Sequence, residues 1–72
     1  MKKTFIQLDK QISEELGRRN TAVYEMNGEY VVEVPEDNYD DAIEIIEDAG
    51  WGIVREEFFS GSSYDGYAFF IK

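Results

Sequence analysis

The chain has no cysteine and no histidine, and only one proline among its 72 residues. The missing cysteine excludes disulfides and thiolate metal sites. The missing histidine excludes the Ser–His and Cys–His pairs of nucleophilic enzymes and removes the commonest general base. Each carboxylate is adequately explained as a solvated surface charge. The sequence therefore predicts a protein that is not an enzyme, with no catalytic residue and no cofactor.

Long hydrophobic runs are also missing, since none approaches the roughly 18 residues that a membrane-spanning helix needs. Apolar residues make up 43% of the chain and aromatic residues 15%, which is typical of a folded globular protein. At this length we expect one domain covering residues 1–72. We expect no membrane contact and a cytoplasmic location.

Positive charge is scarce and unevenly placed. The chain has 16 carboxylates against 7 bases, for a net charge of −9. Residues 1–19 carry five bases against three carboxylates, whereas residues 20–71 carry 13 carboxylates and one base, Arg55. Such an acidic body disfavours nucleic acid and anionic membranes as direct partners and favours basic proteins.

The first segment has two interpretations. Apolar residues recur there at helical spacing on one narrow face: Phe5, Leu8, Ile12 and Leu16. Thr4 and Gln7 have the spacing of a capping box, which favours one helix over about 4–19. The alternative is a short strand at 3–8 followed by a helix that begins at Asp9.

The next segment predicts a hairpin, with strands at 21–26 and 29–34. Asn27 and Gly28 between them are typical of a two-residue type I′ turn, which requires positive φ at both residues. This turn fixes the register, and Val23 then faces Val32. The predicted core face carries four residues: Val23, Tyr30, Val32 and Val34.

A helix is predicted at 36–49, after Pro35 ends the strand and before Gly50, a suitable C-cap. Its apolar arc consists of Tyr39, Ala42, Ile43, Ile45, Ile46 and Ala49. Its opposite arc is acidic and consists of Asp37, Asp40, Asp41, Glu44, Glu47 and Asp48. Four of these carboxylates could be considered for a divalent cation, but they point outward from a regular helix, so no metal site is predicted.

Two further strands are predicted at 51–59 and 67–71, with a turn either at 60–63 or at Asp65 and Gly66. Simple alternation places Val54, Phe58, Tyr67, Phe69 and Ile71 on one face. It places Trp51, Ile53, Phe59, Ala68 and Phe70 on the other. An antiparallel sheet with helices on one side normally has a polar second face. Because both faces here are apolar, we expect the second one to form an interface.

These elements predict an α+β fold in which an antiparallel sheet of two hairpins packs with two helices, in the order α-β-β-α-β-β. With the alternative N-terminal strand, the order becomes β-α-β-β-α-β-β, a ferredoxin-like arrangement with one added strand.

The leading functional hypothesis is a non-enzymatic protein-binding module, an adaptor or inhibitor. It would bind a basic protein through two surfaces. One is the acidic arc, which could imitate the charge of DNA. The other is the second sheet face with Trp51, Ile53, Phe59 and Phe70. The alternative hypothesis is a homo-oligomeric structural protein, most simply a homodimer paired through that sheet face, whose acidic arc only confers solubility.

Overall fold

The computed structural model describes residues 2–17, 20–61 and 64–72. Its elements are α1 (Phe5–Leu16), β1 (Ala22–Met26), β2 (Glu29–Pro35), a 3₁₀ turn (Glu36–Asn38), α2 (Tyr39–Asp48), β3 (Ile53–Ser60) and β4 (Asp65–Ile71). The predicted α+β class and α-β-β-α-β-β order are confirmed. The ferredoxin-like alternative with a strand at 3–8 is wrong, because α1 begins at Phe5.

A complete capping box starts α1. The backbone N–H of Gln7 donates to Thr4 Oγ1 at 3.1 Å, and the Thr4 N–H donates to Gln7 Oε1 at 2.9 Å. These bonds satisfy two amides that a helix start would otherwise leave unpaired. The helix ends at Leu16 rather than near residue 19, because Gly17 adopts a φ of +85° that no longer continues it. Residues 18–19 lie outside the described residues.

The predicted type I′ hairpin is confirmed, with φ of +54° at Asn27 and +81° at Gly28. Its register is also as predicted, since Met26 pairs with Glu29 and Val23 with Val32. The turn thus decides which side chains of β1 and β2 reach the core.

The four strands form one antiparallel sheet in the order β1-β2-β4-β3. Each half of the chain supplies one helix and one hairpin, and the two hairpins join through their second strands, β2 and β4. Both helices pack on the same face of the sheet. The main core there contains Leu8, Ile12, Val32, Val34, Ala42, Ile45, Ile46, Ala49, Trp51, Phe69 and Ile71.

The predicted 36–49 helix begins as a 3₁₀ turn and becomes α-helical only at Tyr39, so α2 is shorter than expected. Gly50 follows it with a φ of +89°, as expected for a helix C-terminus. Ala42, Ile45 and Ile46 are buried, which confirms the apolar arc.

The second hairpin turns between Ser60 and Asp65, one residue later than the predicted turn at 60–63. Ser60 pairs with Asp65, and the Gly61 N–H donates to the Tyr64 carbonyl at 2.9 Å. The alternative turn at Asp65 and Gly66 is therefore wrong, since both residues lie in β4. Residues 62–63 lie outside the described residues. Within the described ranges, no helix is long and apolar enough to cross a membrane.

Truncating Ile46 to alanine should lower the free energy of unfolding by about 2–5 kcal/mol, because its side chain is fully buried between helix and sheet. Ile43→Ala is the matched control and should cost less, since Ile43 is only partly buried. Chemical denaturation measures both values. A loss below about 1 kcal/mol for Ile46→Ala would contradict this packing.

Replacing Gly28 with valine should markedly lower the melting temperature. No heavy atom lies near the added Cβ, so the cost comes from forcing a β-branched residue to a φ of +81°. Gly28→Asn is the control, because asparagine tolerates this conformation better. Circular dichroism measures both melting temperatures. Equal values for the two variants would contradict the strain argument.

Candidate functional site

Six carboxylates form one exposed patch on the 3₁₀ turn and α2, which we call the acidic surface: Asp37, Asp40, Asp41, Glu44, Glu47 and Asp48. All six are exposed, as the helical pattern predicted. The core-facing arc of α2 fixes the helix rotation and thereby turns these side chains to solvent.

None of the six carboxylates has a salt-bridge partner within the described ranges. The ion pairs found there both involve Arg55, which binds Glu29 and Glu57. Several carboxylates of α2 are spaced three or four residues apart, as Asp40 and Glu44 are, and like charges at that spacing destabilise a helix. The last turn of α2 also lacks a base, although the negative end of the helix dipole favours one there.

A groove of about 280 Å³ adjoins the acidic surface, between the two helices. It is lined by Gln11, Glu15, Leu16, Asp41, Glu44, Ile45 and Asp48. Glu15 was not among the predicted site residues, because its position beside α2 depends on how the helices pack. Gln11, one turn earlier on α1 and also in the lining, donates from Nε2 to Glu15 Oε2 at 2.7 Å.

The carboxylates spread along the surface rather than converge. In the part of the chain that the structure describes, no group of three or more acidic side chains could hold a metal ion.

The face assignments predicted for β3 are wrong at Ile53 and Val54. A register shift between Ile53 and Arg55 inserts an extra residue, Val54, into β3. Because this bulge interrupts simple alternation, Ile53 pairs with Ile71 and packs against the main core. Val54, predicted to lie on the core face, is instead 62% exposed.

Trp51 was also predicted on the second face, and that placement is wrong. It precedes β3 and belongs to the main core, where it is 8% exposed. Its ring lies 5.3 Å from Tyr30 and 6.0 Å from Phe5, between ring centroids. Its Nε1 donates to the Lys3 carbonyl at 2.8 Å, which satisfies the indole N–H.

Phe59, Ala68 and Phe70 do share the second face as predicted, and Val31 joins them in a small second core. Phe70 is only 7% exposed in the single chain. The Arg55 guanidinium covers its ring, with the central carbon 3.7 Å from the ring centroid.

Carboxylates hold this cover in place. Arg55 Nη1 donates to Glu29 at 3.0 Å, and Arg55 Nε donates to Glu57 at 3.3 Å. On the other side of the second core, the Tyr24 hydroxyl donates to Glu33, and this hydrogen bond, helped by burial, raises the pKa of Tyr24 to about 12. The chain thus covers much of its own second face, with Phe59 partly buried there, and partner binding at this face stays a prediction.

Comparison with known proteins identifies no relative. No family model matches the chain, and neither the curated proteins nor the solved structures contain a match.

The bulge leads to a direct test of the two face assignments. Ile53→Asp should lower the free energy of unfolding by about 2 kcal/mol or more, because it places a charge against the main core. Val54→Asp, one residue along, should change it by less than about 0.5 kcal/mol. Simple alternation without the bulge predicts the opposite order, so urea denaturation of the two variants decides between the assignments.

Proposed function

We propose that the protein is a non-enzymatic, cytoplasmic binding module that docks a basic partner protein through its acidic surface, as an adaptor or inhibitor. The observation that carries this proposal is the lack of compensation. Six carboxylates share one exposed surface, and none has a salt-bridge partner among residues 2–17, 20–61 and 64–72.

The position of the charges supports binding over solubility alone. Solubility requires net charge but no particular placement. Here Glu47 and Asp48 lie in the last turn of α2, where negative charge opposes the helix dipole. Repulsion among the carboxylates adds to that cost. A basic partner would remove both penalties on binding.

The groove between the helices suggests what such a partner presents. Leu16 and Ile45 supply apolar lining, while Glu15, Asp41, Glu44 and Asp48 supply negative charge. A lysine or arginine side chain matches this combination, since its aliphatic stem covers apolar surface while its charged end stays near carboxylates. The groove would therefore receive a long basic side chain.

Imitation of DNA is one form of this function, in which the partner is itself a nucleic-acid-binding protein. Carboxylates three or four residues apart on a helix have Cβ atoms about 5–6 Å apart. That separation is compatible with the closely spaced phosphates of a DNA strand. Competition between DNA and this protein for the partner would distinguish imitation from plain adaptor binding.

The acidic surface can be tested by reversing three of its charges, in a variant carrying Asp40→Lys, Glu44→Lys and Glu47→Lys. A basic protein captured from cell extract, identified and purified, should bind the wild type and lose at least about tenfold in affinity for this variant. Rising salt should slow its association with the wild type, because screening weakens electrostatic attraction. Titration calorimetry and stopped-flow mixing give the two readouts.

The matched control reverses Asp9, Glu14 and Glu25, which changes the net charge equally but lies on α1 and β1. It should retain most of the affinity. Equal losses in both triple variants would show that net charge alone matters, and full binding by the first variant would show that the acidic surface has no docking role. Melting curves confirm that each variant is folded.

A further inference from the structure

A row of aromatic rings on the helix side of the sheet ends in solvent at the edge of β3. The Tyr39 and Tyr67 centroids are 4.6 Å apart, and those of Tyr67 and Phe58 are 5.3 Å apart, both in edge-to-face geometry. Phe58, the last ring, is 56% exposed. Because the Phe58 ring is more than half exposed, a further aromatic ring could still pack against it.

The backbone of the same strand is available for pairing. β3 is eight residues long and, among the described residues, pairs with β4 alone, so within those ranges its other side presents unpaired amides and carbonyls. Proteins usually protect such an edge with bulges and charges. The bulge at Val54 is at one end, and the regular stretch that follows it carries charges at Arg55, Glu56 and Glu57, so any pairing must keep the like charges of the two strands apart.

We propose that β3 pairs antiparallel with β3 of a second copy of this chain, about a two-fold axis at Phe58. Side chains directly opposite each other lie on the same face of a sheet, so a symmetric pair must centre on one residue. Centring on Glu56 or Glu57 would oppose identical carboxylates, which is unfavourable.

Centring on Phe58 avoids that repulsion. Glu56 then faces Ser60 of the second copy, and Glu57 faces Phe59 of the second copy. The two Phe58 rings meet, so the aromatic row continues across the axis. Centring on Phe59 would instead place Phe58 opposite Ser60 of the second copy and leave the Phe58 ring uncovered. Phe59 has less need of such a contact, because its ring already packs against Tyr64, with the ring centroids 5.7 Å apart. The charges and the exposed ring therefore select one register.

This pairing does not depend on the proposed binding of a basic protein, and the two respond oppositely to salt. Each chain carries a net charge of −9, so two copies repel each other. Salt screens that repulsion. Dimerisation should therefore strengthen with rising salt, whereas binding of a basic partner should weaken.

Sedimentation equilibrium across the micromolar range tests the proposal. The wild type should reach twice the chain mass as its concentration rises. In high salt it should do so at a lower protein concentration than in low salt. Phe58→Ser should remain at the monomer mass under the same conditions. Val54→Ser is the matched control, because Val54 is 62% exposed on the same strand but outside the regular stretch, and it should dimerise like the wild type.

Cysteine substitution gives a second readout that does not require Phe58→Ser to fold. The chain contains no cysteine, so one introduced thiol can be followed cleanly. In the proposed register the two residues at position 58 have Cβ atoms about 4.5–5.5 Å apart, close to disulfide reach. Phe58→Cys should form a disulfide-linked dimer under mild oxidation, and Val54→Cys should not.

A wild type that stays monomeric even in high salt would overturn the proposal. So would a Phe58→Ser variant that dimerises like the wild type, or a Val54→Cys variant that crosslinks as readily as Phe58→Cys.

Discussion

The packing of Trp51 holds the beginning of the chain against the junction between α2 and β3. Its Nε1 donates to the Lys3 carbonyl, while the Lys3 N–H donates to the Ala49 carbonyl at 2.8 Å. The start of α1 is thus held beside the end of α2. The groove lined by carboxylates lies between these two helices, so the shape of the groove depends on the hydrogen bonds that Lys3 makes with Trp51 and Ala49.

Gly50 allows the N-terminal segment to approach the end of α2 this closely. A Cβ at this residue would lie 2.8 Å from the Lys2 Cα, and its φ of +89° suits only glycine well. Lys2 completes the contact, with its ammonium 4.0 Å from the centre of the Trp51 ring. A cation near the end of α2 also opposes the partial negative charge there. The close approach of Lys2 to Gly50 therefore stabilises both the end of α2 and the packing of Trp51.

The features that could be predicted from sequence are those decided by neighbouring residues. The capping box at Thr4, the turn at Asn27 and Gly28, and the two arcs of α2 each depend on local spacing, and each is confirmed. The acidic surface was predictable for the same reason, because burying one helical arc exposes the other. Glu15 was not, since packing between α1 and α2 brings it to the groove.

The bulge in β3 shows why the rest could not be predicted. Strand alternation has a period of two, so one inserted residue moves every side chain before it to the opposite face. Gly52 lies two residues before Val54, but it does not fix where the extra residue falls, which is decided by pairing with a strand more than ten residues away. Ile53 was consequently assigned to the wrong face, whereas Phe59, beyond the bulge, was assigned correctly.

The covered second face illustrates how so small a protein can manage apolar residues on both sides of one sheet. A third layer would need more chain than is present. Instead the Arg55 guanidinium lies over the Phe70 ring and keeps its charge paired with Glu29 and Glu57 at the surface. The guanidinium is well suited to this position, because it stacks on rings and is weakly hydrated. Apolar exposure on the described strands is consequently concentrated at edge and turn residues, with Met26 near the first turn and Val54 and Phe58 on β3.

The two edges of the sheet are unequal, and this limits what assembly through β3 could become. β1, the opposite edge, has only five residues and carries Glu25. The length is what separates the two edges, since five residues offer fewer backbone groups for pairing than the eight of β3, which is itself charged at Arg55, Glu56 and Glu57. A two-fold contact at β3 uses the longer edge of both copies and leaves only β1 at either end. In the proposed dimer, growth would therefore stop at two chains, and the repulsion between their acidic bodies would add a further barrier to addition.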